Sequence, residues 1–276
     1  MMRAMYSAIS GLKNHQTLLD VTANNIANVN TIGYKASRAT FQDSLSQQEI
    51  AAAEPGNGQA GRNAAQVGLG VQLGSIDNLM GGGSLQSTGE ATDVAIQGQG
   101  MFIVGDGTPP ALPGSYEYTR AGNFTFNDEG FLTTQDGQFV MGRETTGTGA
   151  PDTYIKVPAG ATDVAIGQDG AVSYVPEGGG ERKIAGYLSL ARFTNEAGLV
   201  RTQGSNWAES AASGAAEDGT PGGNFGLTIS GELEMSNVEL ASEFTNMIDA
   251  QRGFEANSRV ISTADEMLQN LVNLKR

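Results

Sequence analysis

The residues that could do chemistry are few and widely spaced. His15 is the only histidine and cysteine is absent, which removes a thiolate nucleophile, a cysteine metal site and a disulfide framework together. A Ser-His-Asp triad or a histidine-rich metal centre would have to be built around one residue on an N-terminal helix, off its apolar seam, so His15 reads as a surface or interface histidine. The acidic turns Asp128-Glu129-Gly130 and Asp136-Gly137 lack the Asp ladder of a calcium loop and are explained as hairpin turns. Gly81-Gly82-Gly83-Ser84 opens no helix and precedes no lysine, so it is no phosphate cradle. Thirty acids always permit some carboxylate pair of the glycosidase kind, but no motif singles one out. Trp207 reads as a core or interface anchor. No catalytic, cofactor-binding or metal-binding residue is expected, and no enzyme.

The elements that could position anything are the two ends of the chain. In residues 236–276, Leu240, Met247, Phe254, Ile261 and Leu268 recur every seven residues, with Ala250, Ala264 and Leu271 three residues after members of that series. This heptad seam predicts a long helix that lies along another helix. Ser236 followed by Glu239 predicts a capping box at its start, and the helix would run roughly 55–60 Å. At the N-terminus, Met5, Leu12, Leu19 and Ile26 step by seven as well, with Met2, Ile9 and Ala23 three residues before members of the series and Gln16 as a polar intruder. Arg3, Lys13, Lys35 and Arg38 outnumber Asp20 at the N-terminal end, whereas residues 232–276 hold eight acids against four bases. Opposite signs favour a pairing of the two helices as a coiled coil. The expected assembly interface is Met5, Ile9, Leu12, Leu19 and Ile26 with Leu240, Met247, Phe254, Ile261, Leu268 and Leu271. Gly11 and Gly253 each cost about 1 kcal/mol inside a helix, which makes sense where backbones approach closely.

Length and composition set the outer bounds. With 276 residues, 39% of them hydrophobic, the chain can hold one large domain or two modest ones. Of 39 glycines only Gly11, Gly33 and Gly253 lie outside residues 43–231, so helical ends flank a Gly-rich centre. A net charge of −14 is a poor match for nucleic acid or an anionic membrane surface. No run reaches the ~20 apolar residues of a membrane span, and the first residues lack the apolar stretch and cleavage site of a signal peptide. The first helix is expected to end at Gly33 in the left-handed conformation. Residues 36–48 could extend or form a short helix around Phe41 and Leu45, and 49–66, rich in Ala, Gly, Asn and Gln, reads as a linker or arm.

Strands are expected at Val67 to Ile76, Val94 to Ile96, Met101 to Val104, Phe124 to Phe126, Phe131 to Thr133 and Phe139 to Met141. More follow at Tyr154 to Val157, Val164 to Ile166, Val172 to Val175 and Gly186 to Phe193. Such spacing means an antiparallel sandwich or open barrel. The hexapeptide 91–96, Ala-Thr-Asp-Val-Ala-Ile, returns unchanged at 161–166 and marks two similar strand-and-turn units. The predicted fold class is α+β. A coiled-coil domain comes from 1–35 and 236–276, an extended linker from 36–66, and a Gly-rich antiparallel β domain from 67–231.

Three blocks of sequence carry a family resemblance. Tyr6-Ser7-Ala8-Ile9-Ser10-Gly11-Leu12, Asn24-Asn25-Ile26-Ala27-Asn28-Val29-Asn30-Thr31 and Gly33-Tyr34-Lys35 resemble the N-terminal motif of bacterial flagellar rod and hook proteins. Asp93-Val94-Ala95-Ile96 and Tyr118-Thr119-Arg120-Ala121-Gly122-Asn123-Phe124 are similar to that family's central block. Glu234-Met235-Ser236-Asn237-Val238, Gln251-Arg252-Gly253-Phe254 and the ending at Leu271 to Arg276 are similar to its C-terminal motif. The resemblance implies an axial structural protein of the flagellum that polymerises helically with itself. It also implies export by the type III apparatus without a cleaved signal, contact with neighbouring rod, hook and junction proteins, a cap protein during assembly, no cofactor and no membrane insertion. The start and the Asn-Leu-Lys-Arg ending point first to a hook of the short type, and the length and the extended segment between Phe41 and Val67 point second to the distal rod. The rival from another class is a carbohydrate-acting enzyme or binding module, which would need a cleft of convergent side chains.

Overall fold

The computed structural model describes residues 2–52, 61–107, 115–178 and 180–274. The chain forms two compact units, one from Met1–Ala27, Ser37–Asn78 and Glu239–Arg276, the other from Asn28–Ala36 and Leu79–Val238. Helix and antiparallel sheet are both present, so the fold is α+β.

The first unit holds α1 (Met2–Ala27), a β-ribbon and α2 (Leu240–Leu274). Its strands are β1 (Ser37–Asp43), β2 (Ser46–Ile50), β3 (Ala65–Gly68) and β4 (Val71–Asn78). β1 pairs with β4 and β2 with β3, both antiparallel. The Ser44 N–H donates to Gly70 O at 2.9 Å and the Leu69 N–H to Leu45 O at 3.1 Å, so the two ladders continue into one ribbon. The ribbon is tied to α1 by polar contacts. Asn14 Nδ2 donates to Val71 O at 2.8 Å, Asn25 Nδ2 donates to Ser37 O at 2.8 Å, and the Ser37 N–H returns a bond to Asn25 Oδ1 at 3.0 Å. Gly70, at φ +121°, lies where any side chain would overlap the Ser10 hydroxyl.

Several expectations are corrected here. Of the two alternatives for residues 36–48 the extended one holds, because β1 and β2 take up most of them. Val67 to Ile76 is split between β3 and β4, both of which belong to the same unit as the helices. The middle of the expected arm, 53–60, lies outside the described residues. α2 begins at Leu240, and the Glu243 N–H bonds Glu239 O at 3.0 Å, so Ser236 is not its cap. The Ser236 hydroxyl accepts instead from the Val238 N–H at 3.3 Å. α1 stops at Ala27, six residues before Gly33; the left-handed turn expected at Gly33 is present, at φ +67°, but its N–H donates to Glu234 O at 2.8 Å.

The second unit is dominated by one antiparallel sheet. Along its main path run the strands Thr162–Ile166, Ala171–Val175, Lys183–Leu188, Phe139–Arg143, Met101–Gly105, Glu117–Thr119, Asn206–Ala208 and Val200–Arg201. Met101, Phe102, Ile103 and Val104 are all buried. Side chains alternate across a strand, and here Phe102 and Val104 join one apolar cluster while Met101 and Ile103 join another. The sheet is therefore covered on both faces, which accounts for the unbroken apolar run. The expected hairpin turns hold, with Gly130 at φ +84° and Gly137 at φ +85°, and Asn127 Oδ1 accepts the Glu129 and Phe131 N–H groups. Trp207 is a core residue, 1% exposed.

Candidate assembly surface

The contact between α1 and α2 is built from small and polar side chains. A Cβ added to Gly11 would come within 2.8 Å of Asn257 Nδ2, and one added to Gly253 would overlap the His15 ring. Asn25 Nδ2 donates to Glu243 Oε1 at 3.2 Å. Each step forward on α1 thus meets a step back on α2, so the helices run antiparallel. Each helix offers a glycine and, four residues on, a large polar side chain that fills the glycine of the other.

This geometry revises the expected interface. On α2, Ala250 and Ala264 are buried, and Met247, Phe254, Ile261 and Leu268 are half-buried. Leu240 and Leu271, its outer members, are 40% and 51% exposed. On α1 the buried positions are Ala8, Gly11, Thr22 and Asn25. Met5, Leu12, Leu19 and Ile26 lie half-buried to one side of that line, and Ile9 is exposed. His15, read from sequence as standing off the seam, is part of it, with its Nδ1 buried. The residue four positions away on the opposite helix, Asn257, carries no apolar signal, which is why the pairing escaped the sequence pattern.

What the helix unit leaves uncovered is equally informative. Met2 and Tyr6 on α1, Leu45 beside β2, and Phe244, Ile248 and Leu274 on α2 are all about half or more exposed. Among the described residues only Leu79, Leu85, Ile184, Val200 and Leu227 are comparable in the other unit.

The second unit contains a buried ionic cluster that sequence reasoning missed. Lys35 Nζ donates to Glu234 Oε1 at 2.6 Å, and Arg120 Nη1 donates to Glu234 Oε2 at 3.1 Å, with all three side chains 5% exposed or less. The Gly83 N–H also donates to Glu234 Oε1, at 2.8 Å. Two further donations go to backbone carbonyls, from Lys35 Nζ to Gly81 O at 2.9 Å and from Arg120 Nη2 to Gly98 O at 2.8 Å, while Arg120 Nε is buried without a partner. Burial pushes the Lys35 ammonium below the ordinary lysine range, opposed by Glu234. Burial alone would raise the Glu234 carboxyl, but Arg120, Lys35 and the hydrogen bonds outweigh it and hold it below the usual carboxylate value. Arg201 lies over the rings of Tyr34 and Trp207, at 4.6 and 4.9 Å, and its Nη2 donates to Lys35 O at 2.8 Å.

The β-rich unit thus holds a buried Lys35–Glu234–Arg120 cluster, and the helix unit exposes several large apolar side chains. Residues 5–35 match the family model described as flagella basal body rod protein, 95–174 the flagellar hook protein FlgE/F/G D1 domain, and 229–274 the flagellar basal body rod FlgEFG protein C-terminal. The chain is 46% identical over 280 residues to the flagellar basal-body rod protein FlgG of Bacillus subtilis, covering 100% of both. It is 39% identical to that of Caulobacter vibrioides, covering 99% of this chain and 100% of the relative. The flagellar hook protein FlgE of Borreliella burgdorferi aligns at 27% identity over 447 residues, covering 100% of both. The chain therefore belongs to the flagellar rod and hook protein family and is an axial structural subunit of the flagellum. Lys35, Arg120 and Glu234 fall one in each of the three matched segments.

Proposed function

We propose that this chain is a distal rod subunit of the flagellar basal body, which polymerises helically and transmits torque. The hook reading that its two ends suggest gives way to the rod. The observation that carries this is the similarity to rod proteins along the whole chain, at 46% identity in 280 aligned residues, against 27% to a hook protein whose alignment stretches to 447. The hook relative has residues with no counterpart here. The helix unit is the assembly surface: Met5, Leu12, Leu19, Ile26, Met247, Phe254, Ile261 and Leu268 flank or fill the seam, and Ile9, Leu240 and Leu271 face neighbours. Its partners are further copies of itself and adjoining rod, hook and junction proteins, with a cap protein and the type III apparatus during export. The assembled subunit lies outside the cytoplasmic membrane and keeps its N-terminus uncleaved. Electron microscopy of tubes grown from this subunit alone tests the reading. Straight, rigid tubes are expected, and tubes that curve would return the assignment to the hook.

A further inference from the structure

Glu234 is the meeting point of segments far apart in sequence. Its backbone carbonyl accepts from the Gly33 N–H at 2.8 Å, and its carboxylate accepts from Lys35, Gly83 and Arg120. Its strand, Glu232–Glu234, pairs with Leu85–Ser87, and the Met235 N–H closes onto Ser84 O at 2.9 Å. Before this strand arrives, Lys35 and Arg120 are two like charges that cannot leave water together, because each is then unpaired as it is buried. They are separated from Glu234 by 199 and 114 residues, so no local contact can substitute.

We propose that Glu234 is the folding keystone of the β-rich unit: the N-terminal segment ending at Lys35 and the central segment bearing Arg120 pack together only when the C-terminal strand brings its carboxylate between them. Folding of this unit is thereby coupled to the presence of a residue near the far end of the chain, and a chain without it is held open. The device is electrostatic. The cluster carries two cations and one anion, and what folding requires is that it holds no more than one uncompensated positive charge.

Trp207, the only tryptophan and 1% exposed, reports closure of the core. The full-length chain, unfolded in urea and diluted, should bury Trp207 in the same kinetic phase in which the Gly33 and Gly83 amides become protected from exchange. Full Trp207 burial ahead of those amides would overturn the proposal. Glu234→Gln keeps the shape but leaves two uncompensated cations, and should raise the unfolded fraction at equilibrium by about 100-fold or more. Lys35→Met with Glu234→Gln restores the native net charge of the cluster and should recover at least about tenfold of that loss. A double variant no more stable than Glu234→Gln would show that charge is not what the strand supplies.

Discussion

His15 on α1 lies directly over Gly253 on α2, and four residues along each helix the relationship is repeated in reverse, with Asn257 of α2 over Gly11 of α1. The two contacts act as a register lock. A slip of the pair by one heptad would set His15 and Asn257 against residues that have a Cβ, with no room for either ring or amide. Alanine is the better helix former by about 1 kcal/mol, yet Gly253→Ala is expected to destabilise, because the methyl group overpacks the site at about 1–3 kcal/mol. Far-UV circular dichroism during heating should show an earlier loss of helix for Gly253→Ala than for an Ala substitution at exposed Ser258. Unchanged melting would remove the lock.

Ile261 sits half-buried in the seam, near buried Ala264. Ile261→Asp places a charge without a partner in that contact, which is costly, and polymerisation and motility are expected to be lost while the β-rich unit stays folded. Phe244, 50% exposed, makes the complementary case: Phe244→Ser should leave the monomer's melting within about 0.5 kcal/mol of the parent and still impair tube growth. Light scattering of growing tubes measures both. Normal growth of the Ile261→Asp chain would refute the seam's role in assembly.

The sequence made some of this legible and hid the rest for physical reasons. Period-two alternation and Asp-Gly turns located the hairpins around Gly130 and Gly137, because a turn residue with positive φ leaves a mark in the text. On α2 the heptad pointed at Phe254 and Ile261 because apolar side chains fill that side. On α1 the seam is Ala8, Gly11, Thr22 and Asn25, types with no hydrophobic periodicity, and the visible Met5-Leu12-Leu19-Ile26 row is its neighbour. The burdensome glycines, Gly11 and Gly253, were the better clue. The Lys35–Glu234–Arg120 cluster was invisible because its bonds join residues more than a hundred positions apart.

Asp218 gives the β-rich unit a pH response of defined sign. Burial first, and then Glu209, push its carboxyl from 3.8 up to about 6, with Arg143 opposing, and its Oδ1 is buried without a partner. The folded chain therefore holds this proton more tightly than the unfolded chain. Between 3.8 and about 6 the folded state binds more protons, so this group's contribution to stability falls as pH rises through that window and stays low above it. Asp218→Asn should raise the urea midpoint at neutral pH and flatten the profile there. Glu234 acts in the other direction: its carboxyl is held below 4.5, so the stability it supplies is complete above that value and is lost as pH falls beneath it. A parent profile with no decline between mildly acidic and neutral pH would contradict the Asp218 assignment.

The rod reading proposed above puts the resistance to bending at the tip of the ribbon. Every residue of β2 and β3 is exposed, and a two-stranded ribbon by itself is marginal in water, so this part of the chain is available to a neighbouring subunit. Deleting Ala51 to Ala65 would leave the cross-strand partners Gln48 and Gln66 joined through Glu49 and Ile50, a two-residue connection of hairpin length. The β1–β4 ladder and its bonds to α1 through Asn14 and Asn25 stay intact, so the deletion should leave the helix unit folded and assembly competent. On the rod reading proposed above, the segment it removes is expected to supply a contact by which a straight tube resists bending. Tubes of the deleted subunit are expected to form in normal yield and to show measurable curvature by electron microscopy, where tubes of the full chain are straight. Straight tubes from both would locate the locking contact elsewhere, and failure of the deleted subunit to polymerise would show that residues 51–65 are required for assembly itself.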